Sequence, residues 1–243
     1  MRWVYLSPHL DDAILSCGGI IFEQGQAGVP VEIWNLMSGI PSANLPLSDL
    51  ARSVHASTGF DSAKKTMDCR LAEDRLAARR VDAFPRYFDF LDSIYRRDEN
   101  GSPLYTNDIF GPPHPADNTL ITQIASLLRE NLQADDILVC PLTIGNHPDH
   151  VILRRAAEKI EHPLYYYADI PYAIWFPEQL AEVTGNLSVE AYPVSEEGLR
   201  FWQEAVVAYA SQIAVLFLGE EMMRNGIKSY WRATRGIRLW KIP

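Results

Sequence analysis

The chain has 243 residues, 47% hydrophobic and 22% charged, with a formal net charge of -9; that is enough to bury one full core, and we read it as a single domain over 1–243. The acidic balance, with a pI near 5.1, argues against nucleic acid or an anionic membrane surface as partner, because both would repel it. No apolar run approaches the roughly 20 residues of a membrane span. Six residues precede Ser7, too few for a signal peptide, and Cys17, Cys69 and Cys140 form no C-x-x-C pair, so reduced thiols in a cytoplasmic protein are expected.

Arg2 to Leu6 predicts a buried strand, followed by a helix to about Gln26 and a second strand over Val31 to Met37. Strand, helix, strand in this order is the start of a parallel, right-handed crossover sheet. Gly18 and Gly19 fall inside the first helix and are read as packing glycines against the sheet, since no G-x-G-x-x-G is present. Residues 41–60 look irregular. A long helix is predicted from Ser62 to about Ala83, with Arg75, Arg79 and Arg80 on a solvated face, and a third strand over Tyr87 to Leu91. The segment from Arg96 to Asn118, rich in proline, is longer than an ordinary connection and is a candidate wall for a substrate pocket. Asp117 and Asn118 can cap a helix over 119–132, and a fourth strand covers Ile137 to Cys140. Pro148 opens another helix, to about Ile160, with Arg154 and Arg155 outward. A fifth strand covers Leu164 to Tyr167, an extended segment Leu187 to Val194, a helix begins at Ser195, and a last helix or extended tail follows Glu220. The expected fold is α/β, a doubly wound, mostly parallel sheet of order 3-2-1-4-5 with additional C-terminal elements.

Two stretches carry chemistry. The first is Pro8-His9-Leu10-Asp11-Asp12, where the first strand hands over to its helix. His9 and Asp12 are three apart and can turn toward one point, while Asp11 is aimed elsewhere. Two ligands with a spare carboxylate make a metal-hydrolase arrangement that lacks at least one ligand. The second stretch, His147-Pro148-Asp149-His150, follows the fourth strand. In the expected order the first and fourth strands are neighbours and the ligand crevice opens between them, so His9, Asp11 and Asp12 should stand beside His147, Asp149 and His150. Taken alone, the first motif is equally a helix N-cap and the second a polar turn before a proline-started helix. Their coincidence at adjacent strand ends favours a site. His55, His114 and His162 have no evident partner and are read as surface histidines, and Cys17 and Cys140 as buried small hydrophobes.

With both motifs in hand, the chain resembles the PIG-L/LmbE family of zinc-dependent de-N-acetylases, marked by a P-H-x-D-D box near the N-terminus and an H-x-x-H box about 130 residues later. Arg70-Leu71-Ala72-Glu73 resembles the family's R-x-x-E, and Ala208-Tyr209-Ala210-Ser211-Gln212 its late Y-x-S-Q. The likeness covers most of the chain. It departs at Leu10, where relatives more often carry Pro or Ala, and over 96–118, which matches nothing. The resemblance implies that His9, Asp12 and His150 bind zinc, with ferrous iron the other metal such a set accepts. It implies that Asp11 is the general base and that His147 stabilises the oxyanion, with either of them protonating the leaving amine. Asp149 would orient or charge-tune a motif histidine. Arg70, Glu73 and Asp92 would hold sugar hydroxyls or a phosphate, or else form structural ion pairs. Tyr172, Trp175 and Phe176 could stack on a sugar, although core packing is the commoner use of such rings. The implied substrate is a small glycoside or conjugate carrying N-acetylglucosamine. Oligomeric state stays open, a homo-oligomer included. Two other readings stand beside this one: a metal hydrolase of another amide or an ester, and a non-catalytic sugar- or nucleotide-binding module of the same fold.

Overall fold

The computed structural model describes residues 1–243. Short apolar runs form the middle of its sheet: β1 (Trp3–Ser7) is buried along its whole length, and β4 (Ile137–Pro141) along all but its first residue. Continuous burial of this kind is expected of parallel strands covered on both faces. β1 pairs in parallel with β2 (Val31–Asn35) on one side and with β4 on the other. β3 (Phe84–Tyr87) and β5 (Leu164–Tyr167) extend the parallel sheet outward. Beyond β5 the C-terminal β7 (Gly236–Lys241) runs antiparallel and is covered by β6 (Ser188–Pro193), giving the order β3-β2-β1-β4-β5-β7-β6. The 3-2-1-4-5 core is as expected, and the additional C-terminal elements prove to be an antiparallel hairpin-like pair joined through helices.

The winding reverses between β1 and β4, so the crevice at their C-terminal ends is the place for a ligand. Two helices start there: α1 (Asp12–Gln26) after β1 and α5 (Pro148–Ala157) after β4. α1 is buried from Asp12 through Phe22. Its glycines let α8 (Glu196–Val207) come close: a Cβ at Gly18 would collide with the Trp202 ring, and one at Gly19 would lie 2.9 Å from Val194. They are packing glycines, but the partner is α8 and not the sheet. Trp202 is fully buried, and its indole nitrogen donates to the Ile14 and Leu15 carbonyls at 2.9 and 3.1 Å.

α3 (Ala63–Arg80), α4 (Asn118–Asn131) and α10 (Glu220–Thr234) follow the predicted helical stretches; the chain after Glu220 is a helix and then a strand. Four elements differ from expectation. The third strand spans Phe84–Tyr87 and not 87–91, because its partner β2 ends at Asn35, opposite Tyr87. Past that point the chain only touches the continuation of β2, through Phe88 and Phe90 carbonyls that accept from Ser38 and Gly39. The irregular 41–60 region contains α2 (Asp49–Ser57), whose first turn is capped by Ser48 accepting from the Ala51 amide. Two short helices, α6 (Tyr172–Trp175) and α7 (Pro177–Thr184), follow β5. Finally Arg154, expected to point outward, donates to the Leu142 carbonyl and lies over the Tyr166 ring.

Most apolar side chains form one cluster of 53 buried residues around the sheet. A separate cluster of Leu10, Ala51, Met67, Ile94 and Tyr95 joins α2 to the segment after β3 and roofs one side of the crevice. α9 (Ala210–Phe217) closes the other side.

Candidate active site

The two histidine motifs meet, although about 140 residues of chain separate them. The ring centroids of His9, His147 and His150 lie 4.7, 5.3 and 5.5 Å apart pairwise. Local folding explains why the side chains are free to meet. Ser7, and not Asp11, caps α1: its hydroxyl accepts from the Ala13 amide and donates to the His9 carbonyl. Asp12 is held by accepting from the His9 amide at 2.8 Å. His147 caps α5, with Nδ1 accepting from the Asp149 amide at 3.2 Å. The second motif is thus a turn before a proline-started helix, as the sequence allowed, with His147 itself as the cap.

Asp12 stands between two histidine nitrogens, and metal-binding atoms of His9, His147 and His150 lie within 4.8 Å of one another. Asp12 Oδ2 lies 3.2 Å from His9 Nδ1 and 3.4 Å from His150 Nε2. Each histidine is fixed from behind by a buried carboxylate: His9 Nε2 faces Asp149 Oδ2 at 3.0 Å, and His150 Nδ1 faces Asp169 Oδ1 at 2.7 Å. A neutral imidazole has one proton, and these partners claim it, so Nδ1 of His9 and Nε2 of His150 aim lone pairs at a carboxylate oxygen. That arrangement needs positive charge at its centre. The pKa directions agree: burial opposes charging of His9, but Asp92, Asp12 and Asp149 outweigh it and raise the imidazole well above its usual value. Burial likewise opposes charging of His150, and Asp12 with Asp169 raises it. For Asp12, burial favours the neutral acid, but His150 and His9 pull it below the ordinary carboxyl range. The donor set fits a divalent cation, which replaces those protons and gains the two carboxylate-backed imidazoles typical of metal sites. Two guanidiniums, Arg70 and Arg96, stand among Asp11, Asp12, Asp92, Asp149 and Asp169, so the protein itself leaves negative charge for such an ion to offset.

His147 is different. Nδ1 is an acceptor to backbone, so the neutral ring carries its proton on Nε2, as a donor into the crevice. Burial, and next the neighbouring His9, hold it well below the ordinary histidine pKa and keep it neutral.

Asp11 is 5% exposed and lies 3.4 Å from the Arg70 guanidinium. Burial raises its pKa, Arg70 offsets part of this, and Asp12 adds to it, for a value of about 6. A cation at the donor cluster would lower it. A carboxylate in that range is ionised at neutral pH yet basic enough to take a proton. Arg70 lines the cavity, and its Nε is buried without a protein partner. Asp92 also lines the cavity, 3.8 Å from His9, and caps a short 3-10 turn by accepting from the Ile94 amide. Glu73 does not reach the cavity. Its carboxylate accepts from both the amide and hydroxyl of Ser211, while its neighbour Asp74 accepts from Tyr209, Tyr87 and Asn35. The late Y-x-S-Q thus ties α9 to α3 and brings Gln212 into the cavity wall.

Several residues with a part in the site were not foreseen. Asp169 backs His150 and also accepts from the Ile144 amide at 3.0 Å. Arg96, in the segment that matched nothing, donates to Asp149 at 2.5 Å and to Asp117 at 3.1 Å. Burial would raise the Asp149 carboxyl, but Arg96 in the first place and His9 after it hold it well below the ordinary range. Tyr105 donates to Asp117 at 2.6 Å, so the 96–118 segment is braced against the site, and Ile109 lines the cavity. His55, expected at the surface, is 2% exposed behind this wall, with Nε2 2.8 Å from the Tyr95 hydroxyl. Of the rings expected in the core, Trp175 and Phe176 are exposed and Tyr172 lines the cavity. The cavity itself measures about 160 Å³.

Comparison with known proteins agrees with this geometry. The model of the PIG-L family, described as GlcNAc-PI de-N-acetylase, matches residues 4–161, a span that includes both histidine motifs. The chain belongs to the PIG-L family. Membership places it among hydrolytic N-deacetylases. It is 27% identical to a 2'-N-acetylparomamine deacetylase of Niallia circulans, over 99% of this chain and 94% of that one. Among solved structures, the zinc-inhibited form of teicoplanin deacetylase Orf2 superposes with a TM-score of 0.83 at 26% identity, covering 99% of this chain and 97% of the other. The A40926 pseudoaglycone deacetylase Dbv21 gives 0.77 at 28% identity, covering 98% and 96%. No helix of this PIG-L protein is long and apolar enough to cross a membrane.

Proposed function

We propose that this protein is a metal-dependent hydrolase that removes the N-acetyl group from an N-acetylglucosamine unit of a small glycoside or antibiotic conjugate. One observation carries the reading: Asp12 Oδ2 lies 3.2 Å from His9 Nδ1 and 3.4 Å from His150 Nε2, with a carboxylate behind each histidine. These three residues would hold the ion, zinc in this reading and ferrous iron as the alternative. Bound there, a divalent cation supplies Lewis acidity toward the acetamide carbonyl and the attacking water.

The remaining roles belong to the protein. Asp11, ionised at neutral pH, takes the proton of the attacking water. His147 offers its Nε2 proton to the oxygen that gains charge as the carbonyl carbon becomes tetrahedral. Asp11 then holds the proton that the departing amine requires. Asp149, kept anionic by Arg96, fixes the ring of His9. Arg70, with its unpartnered Nε, and Asp92 are placed to receive sugar hydroxyls from the cavity side. The names of the relatives, deacetylases of paromamine and teicoplanin compounds, support a small-molecule glycoside as substrate.

The test pairs metal content with amine release from a panel of N-acetylglucosamine conjugates. Wild type should carry about one equivalent of metal and release amine from at least one conjugate. Asp11→Asn should keep the metal and lose about 10²–10⁴-fold in kcat, whereas His150→Ala should lose the metal. Full activity in Asp11→Asn, or no metal bound by wild type, would overturn the reading.

A further inference from the structure

The cavity over the donor cluster is small for a conjugate. At about 160 Å³ it compares with an engineered apolar cavity of about 150 Å³ that takes a single benzene ring. It has room for the acetamido group and the adjoining face of one sugar, and the group to which that sugar is linked must lie outside. A row of rings leads outward from the cavity wall, where His147 and Tyr172 are lining residues. Phe110 stands edge-on to His147 at 6.3 Å and to Tyr172 at 5.8 Å, and Trp175 stands edge-on to Tyr172 at 6.0 Å. Trp175 also approaches Phe217 at 6.4 Å, next to Val215 and Leu216 of the cavity wall. The row therefore runs from His147 to the outer edge of the cavity and ends on α9.

Two rings of the row, Phe110 and Trp175, are open to water, as is Val215 of the cavity wall. Phe110 is 44% exposed, Trp175 46% and Val215 43%. Each has apolar surface in water that core packing does not claim, and contiguous surface of that kind beside a cleft marks a binding surface. The row is also held rigid. Gly145 has φ +86°, and a Cβ there would lie 3.1 Å from the Tyr172 ring, so this ring rests directly on the backbone that leads to His147. The charged side chains of the cavity, Asp11, Asp12, Arg70 and Asp92, gather around the donor cluster, and the residues of the row are uncharged apart from His147 at its inner end.

We propose that Phe110, Tyr172, Trp175 and Val215 form a subsite for the aglycone, and that this subsite selects N-acetylglucosamine carried on an apolar, aromatic group. The inference rests on the deacetylase reading above and deepens it. Its occupant is the rest of the same substrate molecule, because the rim is continuous with the cavity and the cavity is too small for both parts.

The experiment compares methyl and 2-naphthyl glycosides of N-acetylglucosamine. The aglycone is joined to C1 and the scissile amide to the neighbouring C2 without conjugation between them, so a gain in binding is read in KM apart from any effect on kcat. Wild type should favour the naphthyl compound by about tenfold or more in kcat/KM, expressed in KM. Trp175→Ala and Phe110→Ala should each bring the ratio down toward one. A wild-type ratio near one, or a ratio that neither variant moves, would overturn the subsite while leaving the deacetylase reading standing. Calorimetric titration of both glycosides into Asp11→Asn reads binding without turnover. Tighter, Trp175-dependent binding of the naphthyl compound, with no amine released by wild type, would support the subsite and defeat the deacetylase reading. Sedimentation of wild type and Trp175→Ala covers the other occupant: a dimer lost in the variant, with the ratio unchanged, would assign the rim to a second copy of the chain.

Discussion

Replacing Asp169 by Asn tests whether the buried carboxylate behind His150 sets the metal site. The two oxygens of Asp169 have separate work, one accepting from His150 Nδ1 at 2.7 Å and the other from the Ile144 amide at 3.0 Å. Asparagine has the same shape but only one acceptor. With its oxygen toward His150, its amino group faces the Ile144 N–H, and a buried donor is left unpaired. With its oxygen toward Ile144, two donors face each other at the imidazole, and His150 loses the bond that keeps Nε2 free of a proton. Either orientation forfeits one bond and the negative charge. An unpaired buried donor costs about 1–3 kcal/mol of stability, and losing the carboxylate behind a metal-bound histidine lowers metal affinity by about 10–100-fold. Competition for zinc against a chromophoric chelator measures the second quantity, and thermal unfolding of metal-free protein measures the first. Wild-type zinc affinity in Asp169→Asn would refute the claim that Asp169 positions His150. A loss of stability alone would reduce Asp169 to a tie between two loops.

Two further predictions concern the frame around the site. Gly18→Ala should improve the intrinsic helix propensity of α1 yet destabilise the protein, because the new methyl meets the Trp202 ring, which is buried and held by two carbonyls; overpacking should exceed the propensity gain by about 1–2 kcal/mol, a drop of a few degrees in Tm, and an unchanged or raised Tm would mean that α8 yields. His55 is the pH prediction. Burial lowers its pKa in the folded protein, so the unfolded chain takes up a proton near pH 6.5 that the folded chain refuses; this contribution is complete above that pH and is lost as pH falls, at no more than about 1.4 kcal/mol per unit. Tm should therefore fall less between pH 7.5 and 5.5 in His55→Gln than in wild type, and equal slopes would show that His55 keeps its ordinary pKa when folded.

The strand order could be read from the sequence because its cause is local. Buried parallel strands such as Trp3–Ser7 and Ile137–Pro141 announce themselves as short apolar runs, and crossover handedness then leaves few ways to order them. The meeting of His9 with His150 followed from that order and from each motif's place at a strand end. α2 was illegible for the opposite reason. Nine residues make a marginal helix alone, and this one is kept by tertiary contact, through Ala51 and His55 against the Ile94–Tyr95 turn. The third strand was misplaced because its aromatic run continues past Tyr87, whereas a strand ends where its partner does.

The missed site residues have one property in common. Asp169 is one of 31 acidic residues, Arg96 is one of 22 basic ones, and neither stands in a motif. Their partners His150 and Asp149 lie 19 and 53 positions away, so only the closed fold shows that each is a buried charge with an assigned neighbour. The motif residues were visible because they are crowded together, and crowding arises where one helix start must serve two ends. His147 shows this most directly. Its Nδ1 accepts a backbone proton to begin α5, and that same bond leaves the ring proton on Nε2, facing the crevice. A side chain that starts the helix but has no proton to offer, such as an ionised aspartate, would keep the cap and lose the donor. The choice of histidine at this position therefore expresses folding and chemistry through a single hydrogen bond.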